Sequence, residues 1–249
     1  MRLLLVLALM FPLLAGAADP TPTGVKIRAA IDHERRTDAD RERDRNRQPL
    51  ETLTFLGLQD DMKVLELLPG RSGWYTKILG PVLEEKGNLY LSIGTSSVAR
   101  MIADQPGFAS TEVIPFDGVG KSTIDERRAT VPEFSFGIRR IDMVLTFRNM
   151  HNFDTDGRAN LNKAAFEVLK KGGRYAVVDH TRRHMQPESY EVWRRIDPVQ
   201  VIKEVEAAGF KFVDYSDLHY KPDDELRYEV GRESVTGNTD RFTLLFEKP

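Results

Sequence analysis

The sequence predicts an α/β fold, a mostly parallel sheet of seven strands with helices on both faces. Three observations predict it. Short apolar runs of strand length recur along the chain, and segments with helical spacing lie between them. Glycine and proline punctuate the joins. The clearest unit is a strand, a glycine turn and a helix over residues 64–79, opening Val64-Leu65-Glu66-Leu67-Leu68-Pro69-Gly70.

The N-terminus reads as an export signal, with Arg2 first, an apolar run over 3–14, and Ala15-Gly16-Ala17 as a small-x-small cleavage site. The run is short for a membrane span. Residues 1–17 are therefore expected to be a signal peptide. Residues 18–26, rich in Pro and Thr, are expected to be a disordered lead. Residues 27–249 are expected to form one domain with an N-terminal helical cap. Within the cap, Asp40, Arg43, Asp44 and Arg47 share a helical face. Two readings stand for it: a solvated helix with surface ion pairs, or a lid that places these charges over a site.

Pro49 can open a helix over 50–58. The expected strands are 63–68, 88–93, 111–115, 141–146, 174–178, 210–214 and 242–246. The expected helices between them are 72–85, 96–104, 156–170 and 198–208. Gly172-Gly173 and Gly209 are the stops of the last two. Residues 117–139 read as a long loop with a poor helix. Strands alternating with helices imply right-handed crossovers.

Composition is that of a folded protein, with 41% hydrophobic and 30% charged residues. A net charge of −2 gives no global pull toward nucleic acid or an anionic membrane. The absence of cysteine excludes thiol catalysis, thiolate zinc sites and iron–sulfur clusters, and it leaves no lipidation cysteine. No later segment is long and apolar enough to span a bilayer. The expected address is an exported one, the bacterial periplasm. The expected partner is a small-molecule substrate, and the oligomeric state stays open.

In a doubly wound sheet, ligands bind beyond the carboxyl ends of the strands. The first strand ends in Glu66, Pro69, Gly70 and Gly73, followed by Trp74 and Tyr75. Glycines permit a tight turn and close ligand approach, and the next helix offers free N–H groups. The fourth strand runs into Phe147-Arg148-Asn149-Met150-His151-Asn152, and the fifth into Asp179-His180. These two strands are expected to be neighbours, so His151, Asp179 and His180 can converge. Two chemistries fit that cluster: general acid–base work by a histidine oriented by Asp179, or a His/carboxylate metal site.

Together these motifs resemble class I, Rossmann-like S-adenosylmethionine-dependent methyltransferases, and more narrowly an exported bacterial branch described as predicted methyltransferases. The resemblance covers most of the mature chain. It rests on the Asp40/Asp44 helix, the 66–76 loop, Arg148-Asn149-Met150-His151 and Val178-Asp179-His180. It also rests on Arg195-Ile196-Asp197-Pro198, Glu206-Ala207-Ala208-Gly209-Phe210 and Thr239-Asp240-Arg241-Phe242. It implies S-adenosylmethionine as cofactor, held by Glu66, Pro69, Gly70, Gly73, Trp74 and Tyr75, with Asp117 at the adenine. It places Arg148, Asn149, His151, Asp179 and His180 in the catalytic site. One departure is plain: the second strand ends Leu91-Ser92-Ile93-Gly94-Thr95, with no acid for the ribose hydroxyls. Three functions follow. One is a methyltransferase acting on a small molecule or exported substrate. Another is a repurposed member of the fold binding another ligand. The third is a metal-dependent enzyme using His151, Asp179 and His180.

Overall fold

The computed structural model describes residues 21–249. The expected signal peptide lies outside the described residues. Part of the expected lead does not, and there the expectation fails. Helix α1 is Pro22–Asp32, with Thr21 as its N-cap accepting from Gly24 N at 3.0 Å and Pro22 in the first turn. The Pro/Thr composition taken for disorder is a helix-start signal. Ile27 and Ala30 of α1 are buried.

The charged stretch is not one helix. It breaks into α2 (Asp38–Arg41) and α3 (Asp44–Arg47), and Pro49 then opens α4 (Pro49–Phe55). Asp40, Arg36 and Arg47 are buried, so the solvated-helix reading fails for them. Each charge has its own tertiary environment: Asp40 pairs with Lys77, Asp44 with Arg36, and Arg47 lies over Trp74.

The strands are β1 (Lys63–Leu67), β2 (Asn88–Ser92), β3 (Thr111–Ile114), β6 (Ile141–Phe147), β7 (Leu169–His180), β8 (Lys211–Ser216) and β9 (Arg241–Glu247). They form one seven-stranded sheet in the order β3-β2-β1-β6-β7-β9-β8. The first five are parallel, and β9 runs antiparallel between β7 and β8. The mostly parallel seven-stranded sheet is as expected. The loop expected over 117–139 holds no helix. It carries a small hairpin, β4 (Gly120–Lys121) with β5 (Ala129–Thr130).

Helices cover both faces. On one, α1, α4, α5 (Thr76–Leu83) and α6 (Ser96–Ile102) pack on Val64, Leu89, Leu91, Met143 and Leu145. On the other, α7 (Thr155–Val168) and α8 (Pro198–Ala207) pack on Leu65, Leu67, Val144, Tyr175 and Val177. Neighbouring residues of one strand serve opposite cores because strand side chains alternate. Both faces are buried, so strands such as Val64-Leu65-Glu66-Leu67 read as apolar runs rather than alternations. α7 and α8 start on Asp154 and Asp197, whose carboxylates accept from Gly157 N at 2.7 Å and Val199 N at 2.9 Å. α5 starts at Thr76, four residues later than expected, because Gly73 at φ +54 cannot lie within a helix.

The strand order reverses between β1 and β6, which diverge from there to the two sheet edges. That is the topological switch point, and the crevice beyond it is where this architecture takes ligands. Among the described residues, no helix is long and apolar enough to cross a membrane.

Candidate functional site

Beyond β1 the chain turns through Leu68 at φ +50, Gly70 at φ +72 and Gly73 at φ +54. Asn149, just past β6, holds this turn. Its Nδ2 donates to Leu67 O and Leu68 O, each at 3.3 Å. The two glycines differ in purpose. A Cβ at Gly70 would meet nothing within 4 Å, so the ligand side is open there. A Cβ at Gly73 would stand 2.7 Å from both Val98 Cγ2 and Met101 Cε. Gly73 serves the contact with α6 and lines no cavity at the loop. Gly73→Ala is therefore expected to cost about 1–3 kcal/mol, combining left-handed strain with overpacking. A thermal melt checks this; an unchanged Tm would refute it.

A cavity of about 560 Å³ occupies the crevice. Glu66, Pro69, Gly70, Trp74, Tyr75, Arg148 and Asn149 line it from the sheet side. Asp40, Arg43 and Arg47 line it from the cap. The cap thus covers the site, as the lid reading expects. It is fastened there: Trp74 Nε1 donates to Asp40 O at 2.9 Å and Lys77 Nζ meets Asp40 Oδ2 at 2.6 Å. Arg47 packs over the Trp74 ring at 4.3 Å, and Tyr75 stacks on Phe147 at 3.6 Å.

Glu66 is buried on the sheet side of the cavity and accepts from Thr76 Oγ1 at 2.6 Å. Burial pushes its carboxyl pKa up to about 7, against a smaller opposing pull from Thr76 and Arg47. Burial likewise raises the Tyr75 phenol. Arg47 is brought down to about 9 by burial and then by Arg148.

A second cavity of about 340 Å³ adjoins the first and shares Arg43, Arg47 and Arg148 with it. Its other walls are the end of β7 at His180, the start of β9 at Arg241, Arg194, and the loop carrying Gly231, Thr236 and Thr239. His180 Nδ1 bonds Thr239 Oγ1 at 2.9 Å. Burial, reinforced by nearby cations, holds His180 well below the usual histidine range, so it is neutral at pH 7.

The expected cluster after β6 and β7 does assemble. His151 Nδ1 meets Asp179 Oδ1 at 2.5 Å, and the two histidine rings lie 5.6 Å apart. Asp179 also accepts from His151 N at 3.0 Å and His180 N at 2.7 Å. It is fully buried, and neither it nor His151 lines either cavity. The pair ties the turn after β6 to β7, so its place is behind the site. Only His180 of the three faces a cavity. The metal reading fails on geometry. Among the described residues, no group of three or more His, Asp or Glu is placed to hold an ion.

Asp117, expected at the adenine, is not brought to the crevice. Asp117 is exposed and lines neither cavity. At the end of β2, where the ribose acid is missing, Ser92 Oγ is spent on Ile114 O of β3 at 3.1 Å. No local pattern in the sequence assigns a role to Arg241 or Lys77. Their signal was the Thr239-Asp240-Arg241-Phe242 motif and the helix after the glycine turn. Their partners are far away in sequence.

No family model matches this chain, and no curated protein matches it. Solved structures do. A methyltransferase from Aquifex aeolicus, described as SAM-dependent, is similar over 91% of this chain and 98% of its own, at 16% identity and a TM-score of 0.58. The fold is that of the S-adenosylmethionine-dependent methyltransferases. An arsenic(III) S-adenosylmethionine methyltransferase from Chlamydomonas reinhardtii is similar over 90% of this chain and 73% of its own, at 13% identity and a TM-score of 0.54. The [4+2]-cyclase SpnF matches at 15% identity and a TM-score of 0.55, over 81% and 82% of the two chains. Proteins named for different chemistries thus share this fold, and function lies in the site rather than in the fold.

Proposed function

We propose that this protein is an S-adenosylmethionine-dependent methyltransferase acting on a small molecule or exported substrate. The observation that carries the reading is the cavity at the β1/β6 switch point, floored by the open Gly70 turn and walled by Glu66 and the arginines. The residues fit the amino-acid end of that cofactor. Glu66 suits its ammonium, and the Gly70 turn admits its backbone-sized chain closely. The fit thins toward the adenosine end, where Ser92 is engaged with β3 and Asp117 is exposed outside the cavity.

When bound, the cofactor supplies an electrophilic methyl group. Its transfer is an in-line displacement governed by positioning. The protein's part is to hold the acceptor beside the Gly70 turn and to take a proton where the acceptor has one to lose. His180, neutral and facing the adjoining cavity, is the histidine for that role. His151 and Asp179 position it, through the Asp179 bond to His180 N. The signal-like sequence pattern over residues 1–17 supports placing the reaction in the periplasm.

Isothermal titration with S-adenosylmethionine tests the reading. Binding is expected, weakened about tenfold or more in Asn149→Ala, which frees the β1 turn. No heat and no thermal shift at millimolar ligand would sink it. The repurposed-fold reading is favoured by one observation, the missing ribose acid, and it predicts that negative result.

A further inference from the structure

We infer that the second cavity is an anion site, and that it selects a methyl acceptor bearing a phosphate or carboxylate group. The acceptor assignment rests on the methyltransferase reading; the anion site does not. Five arginines line it: Arg194, which Glu229 matches, and Arg43 and Arg47 from the cap, Arg148 after β6 and Arg241 at the start of β9. Among the described residues, none of the last four has a carboxylate within ion-pair distance. That is unlike the rest of the molecule, where buried arginines are matched. Arg195 holds Asp224 and Arg158 holds Glu204.

The absence of partners is expensive where the side chains are buried. Arg47 is 5% exposed and Arg241 7%. Among the described residues the Arg47 guanidinium donates no hydrogen bond. Arg241 donates one, to Asn46 O at 2.9 Å, while its Nε is buried without a partner. A buried cation without a counter-charge destabilises a fold, and several together repel one another. Burial first, and repulsion from Arg148 second, lower the pKa values of both Arg47 and Arg241. An anion in the cavity would supply the missing charge and the missing acceptors. Guanidinium forks match the paired oxygens of phosphate and carboxylate. Thr239 and neutral His180 add uncharged polar groups beside them.

The position gives the site a purpose. Arg148 and Arg47 line both cavities. An acceptor anchored by its acidic group in the second cavity would extend past Arg148 toward the Gly70 turn. Arg148 is held for this at φ +64, with its backbone N donating to Val178 O at 2.6 Å.

The test uses the wild-type protein first. Inorganic phosphate and acetate are titrated against it by calorimetry and thermal melting, at ionic strength held constant with chloride. Saturable binding and a raised Tm are expected from at least one anion, and whichever binds tighter names the acid class. Arg148→Gln and Arg43→Gln, which break no side-chain bond, are expected to weaken that binding about tenfold or more. The binding is expected to persist when S-adenosylmethionine is saturating. Three results would overturn the inference: no shift beyond the chloride control, equal shifts in wild type and Arg148→Gln, or anion binding abolished by S-adenosylmethionine. Anion binding without S-adenosylmethionine binding would keep the site and remove the methyltransferase reading. The reverse would keep that reading and remove the site.

Discussion

Replacing Arg195 with alanine is expected to destabilise the protein by about 3–5 kcal/mol, the usual cost of orphaning a buried charge. Arg195 has no exposed surface and holds four bonds. Its Nη1 and Nη2 grip Asp224 at 2.9 and 3.0 Å, Nη1 also reaches Thr181 O at 3.1 Å, and Nε reaches Tyr228 O at 2.9 Å. Asp224 in turn accepts from Leu226 N at 3.1 Å and Asp240 N at 2.7 Å. Truncation strands the carboxylate and two carbonyls at once. For a chain of this size the loss corresponds to a fall in Tm of roughly 6–20 °C. Denaturant unfolding of Arg195→Ala checks it; a loss under about 1 kcal/mol would refute the assignment, since exposed pairs cost that little. The knot also ties the segment between Asp224 and Asp240 to the end of β7, and that segment walls the second cavity. Anion binding should therefore fail with it. A double change of Arg195→Met with Asp224→Leu should recover most of the stability, because an apolar pair leaves no buried charge.

Glu66→Gln is expected to stabilise the protein, and to do so only as the pH rises. The folded-state pKa of Glu66 is about 7 against an ordinary 4.5, with burial the main cause. A raised folded value means the native state prefers the protonated acid. Its contribution is fully present below about pH 4.5 and is lost as pH climbs through 7. That gap is worth about 3 kcal/mol. Glutamine has no charge to bury, and its carbonyl can still accept from Thr76 Oγ1. The stability difference, variant minus wild type, should grow between pH 5 and pH 8 toward that limit. A difference flat across that range would show that Glu66 is not strained by burial. The same variant should bind S-adenosylmethionine more weakly, because the acid facing its ammonium is gone. A buried acid that costs stability at neutral pH is what a ligand site leaves behind when stability yields to binding.

Local pattern carried much of the fold. The apolar runs at Val64-Leu65-Glu66-Leu67 and Met143-Val144-Leu145 read as strands, and each is one. Pro49 marks a helix start and Gly209 a stop, and both hold. The same logic misled where two rules compete. Thr21-Pro22-Thr23 looked like a disordered lead by composition, yet it is a cap followed by a first-turn proline. Asp40 to Arg47 looked like one helical face, yet tertiary partners split it.

The glycine turn, the reversal of strand order that places a crevice beside it, and the meeting of His151 with Asp179 were within reach of the sequence. Each follows from spacing along a strand or from the topology that alternating elements impose. Which of those residues face a ligand was not. Burial put His151 and Asp179 behind the site and left Asp117 in solvent. It brought Arg43, Arg47, Arg148 and Arg241, spread across nearly 200 residues, to one cavity. The reason is physical. Local structure depends on neighbours a few residues away, whereas charge, desolvation and access depend on what the folded chain brings within a few ångströms.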